Sequence, residues 1–328
     1  IFISFFFKKP KIRKAITVGP ANEEQEIIVE EGDVVESEED SAIMEEAVVD
    51  AEGNEGDDGQ IAHDDAVVKS LHEVAIWEMR AQGVVMTAAE EREALKLFPA
   101  VAGLAQRIHD SSPLNEQFQE LLINSQGQIQ SNKTALDQRV PTQWNSDFDC
   151  LAAHLQFKDV VQSMTARSSN KLQAYRLSES QWNLAGDVQD VLLLFKDITL
   201  LFSQAEVPLI VDVIPTLFTL RDSLQAAAND DNTQDTPAVI RIASYAGVLL
   251  INKYMDLIWD CEIYVLAIVM CPDRKMNYLK NFKLSAAQLR EIKKKVIDRF
   301  QTSYADEALV PAQPTEKVFN IFLPKFAD

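Results

Sequence analysis

From Ala66 onward, apolar residues recur every three to four positions, the spacing of one buried helix face. Val67, Val68, Leu71, Val74 and Ala75 begin this pattern. Thr87-x-x-Glu90 forms a capping box, in which the hydroxyl and the carboxylate each satisfy a free backbone N–H at a helix start. It predicts a helix carrying Leu95, Phe98, Val101 and Leu104 inward. Pro99 falls inside that helix and predicts a kink or break, because proline lacks the N–H that the ladder needs. Ser112-Pro113 reads as an N-cap followed by a first-turn proline, opening a short helix through Leu122. Residues 124–142 are polar and aperiodic and are expected to form a loop.

A second capping box, Ser178-x-x-Gln181, opens the strongest helical pattern, Gln181 to about Ser203. Trp182, Ala185, Val188, Leu192, Phe195 and Phe202 share its apolar face. Pro215 predicts the first turn of another helix, with Leu217, Leu220 and Leu224 inward. After the polar stretch 229–236, a further helix buries Val239, Ala243, Ala246, Leu250 and Leu257. Ser285-x-x-Gln288 then caps a helix expected to turn Leu289, Ile292, Val296 and Phe300 inward. No strand–turn–strand signal accompanies these periods. The expected fold class is all-α.

Charge changes the picture at the N-terminal side. Residues 1–14 are apolar and basic, with Lys8, Lys9, Lys11, Arg13 and Lys14 and no acid. Residues 23–65 hold 19 Asp or Glu and no Lys or Arg, within a net charge of −20 for the 328-residue chain. The acidity therefore belongs mainly to one segment and does not argue against nucleic-acid binding elsewhere. Residues 15–65 contain no aromatic residue, and high like charge with little apolar surface predicts disorder. The expected organisation is a basic and apolar segment at 1–14, a disordered acidic spacer at 15–65, a helical region at 66–304 and a tail at 305–328.

Composition also excludes several chemistries. Cys150, Cys261 and Cys271 are too few for a disulfide scaffold, and with four histidines they form no zinc-module spacing. No cofactor and no metal are expected. The phosphate-binding glycine loops, the nucleophile elbow and the H-E-x-x-H motif are absent. The apolar run Ile263–Cys271 is too short to span a bilayer, so no membrane partner is expected.

Val140–Leu151 reads VPTQWNSDFDCL. It resembles the P-T-R-W-N-S-T-x-D-M-L segment of hAT-superfamily DNA transposases. The Gln181–Ser203 helix resembles that family's W…V…L-x-PF…T…S helix. Val207-Pro208 with Val213-Ile214-Pro215 resembles its proline-marked connection, and Ala267–Tyr278 (AIVMCPDRKMNY) resembles its A-x-x-L-D-P-R-x-K-L-x-Y-F segment. The opening IFISFFFKKPK and the acidic spacer resemble fungal members just after their C-x-x-H motif. The resemblance implies a helical insertion domain of an RNase H-like transposase, with a nuclear location and DNA as partner.

In that family two catalytic aspartates precede the C-x-x-H motif, and strand transfer needs them to hold divalent metals. The chain corresponds to the stretch after that point, so the expectation is a non-enzymatic fragment with no catalytic residue of its own. Pro311–Asn320 faintly resembles the segment bearing the family's catalytic glutamate, which would fall on Glu316. The family has a much longer helical stretch before it, so a linker tail is expected here. Self-association is left open, since the family's dimerisation segment is not found.

Trp144 resembles the family tryptophan that stacks on an extruded base, with Asn145 beside it; Gln143 stands where the family has Arg. The alternative role for Trp144 is a core anchor between helices. The second candidate is Cys271–Phe300, with nine Lys or Arg against three Asp or Glu. Arg274, Lys275, Lys293, Lys294 and Lys295 are its candidate phosphate contacts. The alternative is a solvated helix face. A helical protein-interaction domain without DNA affinity is the competing function.

Overall fold

The computed structural model describes Ile3, Phe6 and Phe7, the backbone of 15–18 and 24–27, and residues 58–125, 133–140, 144–204, 209–229, 236–282 and 284–303. The helical expectation holds throughout the described body. The helices are α1 (Asp58–Ala81), α2 (Ala88–Asp110), α3 (Ser112–Asn124), α4 (Trp144–Gln156), α5 (Lys158–Ala166), α6 (Glu179–Phe202), α7 (Val213–Asn229), α8 (Ala238–Asp260), α9 (Glu262–Met270), α10 (Lys275–Tyr278) and α11 (Ala286–Ser303). Short 3-10 turns cover Ser168–Asn170, Gln173–Tyr175, Leu209–Asp212 and Leu279–Phe282.

Two parts of the stretch read as disordered differ from that reading. Helix α1 starts at Asp58, ahead of the expected residue 66. Ala15–Val18 pairs antiparallel with Glu24–Ile27, with Ala15 opposite Ile27. The acidic stretch between these segments lies outside the described residues.

The chain divides into two compact units, one of 1–207 with 215–256, the other of 208–214 with 257–328. In the first, α2 is the hub. It packs on α3, α4, α6 and the Gln173–Tyr175 turn. Its buried face holds Leu97, Phe98, Val101, Leu104 and Ile108. Phe6 and Phe7 are also buried, Phe6 with its ring 4.6 Å from that of His72 and Phe7 edge-on to Phe98. The Thr87–Glu90 and Ser178–Gln181 boxes both form as expected, and Ser285–Gln288 makes the same reciprocal bonds. Gly83, at φ +87°, makes the turn between α1 and α2 in a conformation other residues adopt poorly. At Gly247 of α8 an added Cβ would lie 3.0 Å from Leu224 Cδ1 of α7. Arg241 closes the end of α7, donating to the Ala228 and Asn229 carbonyls at 2.8 and 3.0 Å.

Four local expectations are corrected. Pro99 does not end its helix: α2 runs unbroken through it. Core contacts on both sides of Pro99, from Leu97 to Leu104, hold the two halves in line against a local cost of about 3 kcal/mol. The N-cap of α3 is Ser111 rather than Ser112, and its side chain makes no capping bond. Phe300 and Leu257 were expected inward, yet they are 56% and 58% exposed. Phe202 is likewise outside the core: the buried positions of α6 end at Leu192.

In the second unit, Arg274 is the organising cation. It donates to the Val211 carbonyl at 2.5 Å, pairs with Asp212 and lies 5.0 Å over the Tyr278 ring. Tyr278 and Trp259 both meet Phe282 edge-on. Arg299 of α11 reaches Glu262 of α9 at 2.5 Å. Among the described residues, no helix is long and apolar enough to cross a membrane.

Candidate nucleic-acid interface

Of the sequence motif at Val140–Leu151, the described residues are Val140 and Trp144–Leu151, and the latter form the first two turns of α4. The approach to α4 is fastened by two of the motif's own polar residues. Ser146 Oγ accepts from Val140 N–H and donates to the Val140 carbonyl, both at 2.8 Å. Asp147 accepts from Arg139 Nε at 2.8 Å, with the two side chains only 4% and 14% exposed. A charge pair this deep is stable only because each partner neutralises the other. The Arg139–Asp147 bond joins positions eight apart, so no helical periodicity could have revealed it.

Trp144 sits at the start of α4, half-buried, with its ring edge-on to Phe195 of α6 at 6.3 Å. One turn further, Lys196 of α6 bonds Asp149 at 2.7 Å and lies 4.2 Å over the Phe148 ring. These contacts fix the α4–α6 seam and hold Trp144 in one place. Its partial exposure combines the anchoring role with a ring that solvent still reaches. Asn145 is half-buried, and its Oδ1 has no hydrogen-bond partner among the described residues. Gln143, where the related family carries Arg, lies outside the described residues, as do Lys283 and Glu316.

Deeper in α4, Cys150 and His154 share a face but form no reactive pair. Cys150 Sγ points to the Val101 carbonyl at 3.9 Å, and burial pushes its thiol up to about 12. His154 Nδ1 lies 3.0 Å from the Cys150 carbonyl, an acceptor only, so Nδ1 carries the proton and Nε2 is a bare, buried lone pair. Desolvation by burial lowers the His154 pKa to about 4, against smaller opposing effects from the Cys150 carbonyl and Asp137. Because the folded value lies below the unfolded 6.5, the unfolded chain binds more protons between the two. Stability is therefore expected to fall as pH drops from 6.5 towards 4, by on the order of 2 kcal/mol at pH 4.5. Urea titrations monitored by tryptophan fluorescence at pH 7 and 4.5 check this. His154→Gln should remove most of the difference, and an equal acid loss in the variant would assign it to other groups.

The basic run is less uniform than its sequence. Arg274 is engaged within its own unit, so its guanidinium is committed to Asp212 and the Val211 carbonyl. Lys275 is exposed at a left-handed position, φ 55°. Lys293, Lys294 and Lys295 are all exposed on α11. Successive helical residues step by about 100°, so the three fan around the helix rather than stack on one face. Lys295 pairs with Glu291 at 3.3 Å. Lys293 and Lys294 have no ion pair among the described residues. Arg290, one turn before Lys294, is also exposed on that outer side.

Among the described residues, no three His, Cys, Asp or Glu side chains gather as a metal site.

Residues 92–191 match the family model of the ZBED1 RNase-like helical domain. The matched stretch runs from α2 into α6. It contains the whole Val140–Leu151 motif and the start of the Gln181 helix, the first two of the four segments that resemble hAT transposases. Over these residues the chain is thus similar to a transposase-derived helical domain, and its all-α architecture agrees. No curated protein and no solved structure matches the chain.

Proposed function

We propose that the chain is a nuclear, DNA-associating helical module derived from an hAT-type transposase of fungal type, and that it does not itself cut or join DNA. The observation that carries this reading is the family match over 92–191, centred on the motif that places Trp144 at the head of α4. The exposed Lys293 and Lys294, with no ion pair among the described residues, add a second element, since cations that bind phosphates release counterions. A base stacked on a half-open Trp144 ring would gain roughly 1–3 kcal/mol.

The test is a titration of the full chain with a labelled duplex at 50 and 200 mM salt. Binding should weaken steeply with salt. Lys293→Glu/Lys294→Glu should lower affinity for any duplex and flatten the salt slope, because fewer counterions are released. Trp144→Ala should spare ordinary duplexes and weaken binding to one with an unpaired base. Absence of salt-dependent binding would leave the competing reading, a helical protein-interaction domain.

A further inference from the structure

The outer face of α1 carries an apolar stripe that the first unit leaves open. Ala75 and Met79 turn into the body of that unit and are buried. Trp77 lies two residues from each, about 200° round the helix, and is 71% exposed. Val74, the residue a turn before it, is 38% exposed. Ser70 and Ala81 continue the same face at either end and are exposed too. Ser70, Val74, Trp77 and Ala81 are spaced four, three and four apart, the seam of a two-helix coiled coil. The two large side chains stand at the centre and the two small ones at the ends. The sequence pattern groups Val74 with the buried Ala75, and the fold separates them.

The charges beside this seam decide what fits it. Glu73 and Arg80 are both exposed, and neither has an ion pair among the described residues. They are seven positions apart, so they lie on one flank of the seam. On the opposite flank Glu78 bonds to the Tyr245 hydroxyl of α8. Lys69 is set off the seam by the heptad spacing. If a second α1 ran parallel to the first, Glu73 would face Glu78 of the second copy, like against like. Run antiparallel, Glu73 faces Arg80 of the second copy and Arg80 faces Glu73. In the same register each Trp77 meets a Val74 and each Ser70 an Ala81. The face is therefore complementary to itself under a two-fold rotation, which an isologous dimer interface requires.

We propose that α1 is a self-association surface on which a second copy of this chain docks its own α1 antiparallel, with Trp77 as the anchor. An exposed tryptophan in an apolar stripe supplies the largest share of such a contact, and the two Glu73–Arg80 pairs set its direction. The seam is about three helical turns long on each copy, so the dimer is small and reversible. The inference does not depend on the DNA reading.

The experiment measures the mass of the full chain by sedimentation equilibrium over concentrations from about 1 to about 200 μM. A monomer–dimer equilibrium is expected. Trp77→Ser should raise the dissociation constant about thirtyfold or more, the effect of removing an interface anchor. Glu73→Arg and Arg80→Glu should each raise it about tenfold or more, since each variant sets like charges opposite one another in its own dimer. Mixed in equal amounts, these two single variants should form a heterodimer, because opposite charges then face across both flanking positions. Glu73→Arg/Arg80→Glu should dimerise as the parent chain does. The substituted residues are exposed, so melting temperatures at low concentration should not move. If Trp77→Ser does lower the melting temperature, the charge variants and their mixture carry the test. A chain that stays monomeric throughout overturns the proposal. So does a dimer that the charge variants leave unchanged, which places the contact elsewhere. Single variants that fail to pair with each other, or a double variant that stays monomeric, overturn the antiparallel docking and the proposal with it.

Discussion

Phe157→Ala is expected to destabilise the first unit by about 3–5 kcal/mol, the range for truncating a fully buried phenylalanine. Phe157 is the single residue between α4 and α5 and has no exposed surface. Its N–H bonds to the Ala153 carbonyl at 3.0 Å and its carbonyl accepts from Val161 at 2.9 Å, so the helical path continues through it. Its ring meets Phe118 of α3 edge-on at 5.6 Å. Removing it empties a space walled by three helices and deletes an aromatic pair worth roughly 0.5–1.5 kcal/mol beyond its buried area. Denaturant titration gives the loss. Phe118→Ala and the double variant complete a cycle whose coupling energy should match the ring contact. A loss under about 1 kcal/mol would mean that α3, α4 and α5 close around the gap and that Phe157 is not their anchor.

Asp147→Ala should cost a similar amount, about 3–5 kcal/mol, by a different route. The substitution leaves the Arg139 guanidinium in a site with little access to water and without the carboxylate it pairs with. It also removes one fastening of the approach to α4, beside the Ser146–Val140 bracket. Arg139→Met/Asp147→Leu removes both charges and should recover most of the loss, since a well-packed apolar pair avoids the desolvation cost altogether. If the double variant is as unstable as Asp147→Ala, the pair contributes through geometry rather than charge. Duplex binding by the double variant then shows whether Trp144 keeps its position without the ion pair.

Asp147 belongs to the most legible part of the sequence, and yet its role was not legible there. The VPTQWNSDFDCL motif pointed to Trp144 as the residue of interest. Ser146 and Asp147 are the residues that hold its approach, through partners outside any helical repeat. The basic run was similarly visible as composition. Its division into a structural Arg274, a Lys295 paired with Glu291, and an exposed Lys293 and Lys294 with no ion pair among the described residues depends on what each side chain meets.

What could be read directly was local or periodic. All three capping boxes form, because each needs only residues within one turn of each other and the bonds satisfy N–H groups that any helix start leaves open. The all-α class follows from the 3.6-residue repeat, and residues 92–191, which hold the first of the hAT-like segments and the start of the second, match the ZBED1 RNase-like helical domain. What the tertiary structure decided involves competition between distant groups. Pro99 stays inside α2 because core contacts on both sides outweigh a missing hydrogen bond. Phe202, Leu257 and Phe300 are left outside because an apolar stripe is buried only where another element covers it. Arg139 finds Asp147 because the fold brings together charges that the chain keeps eight positions apart, off any helical repeat.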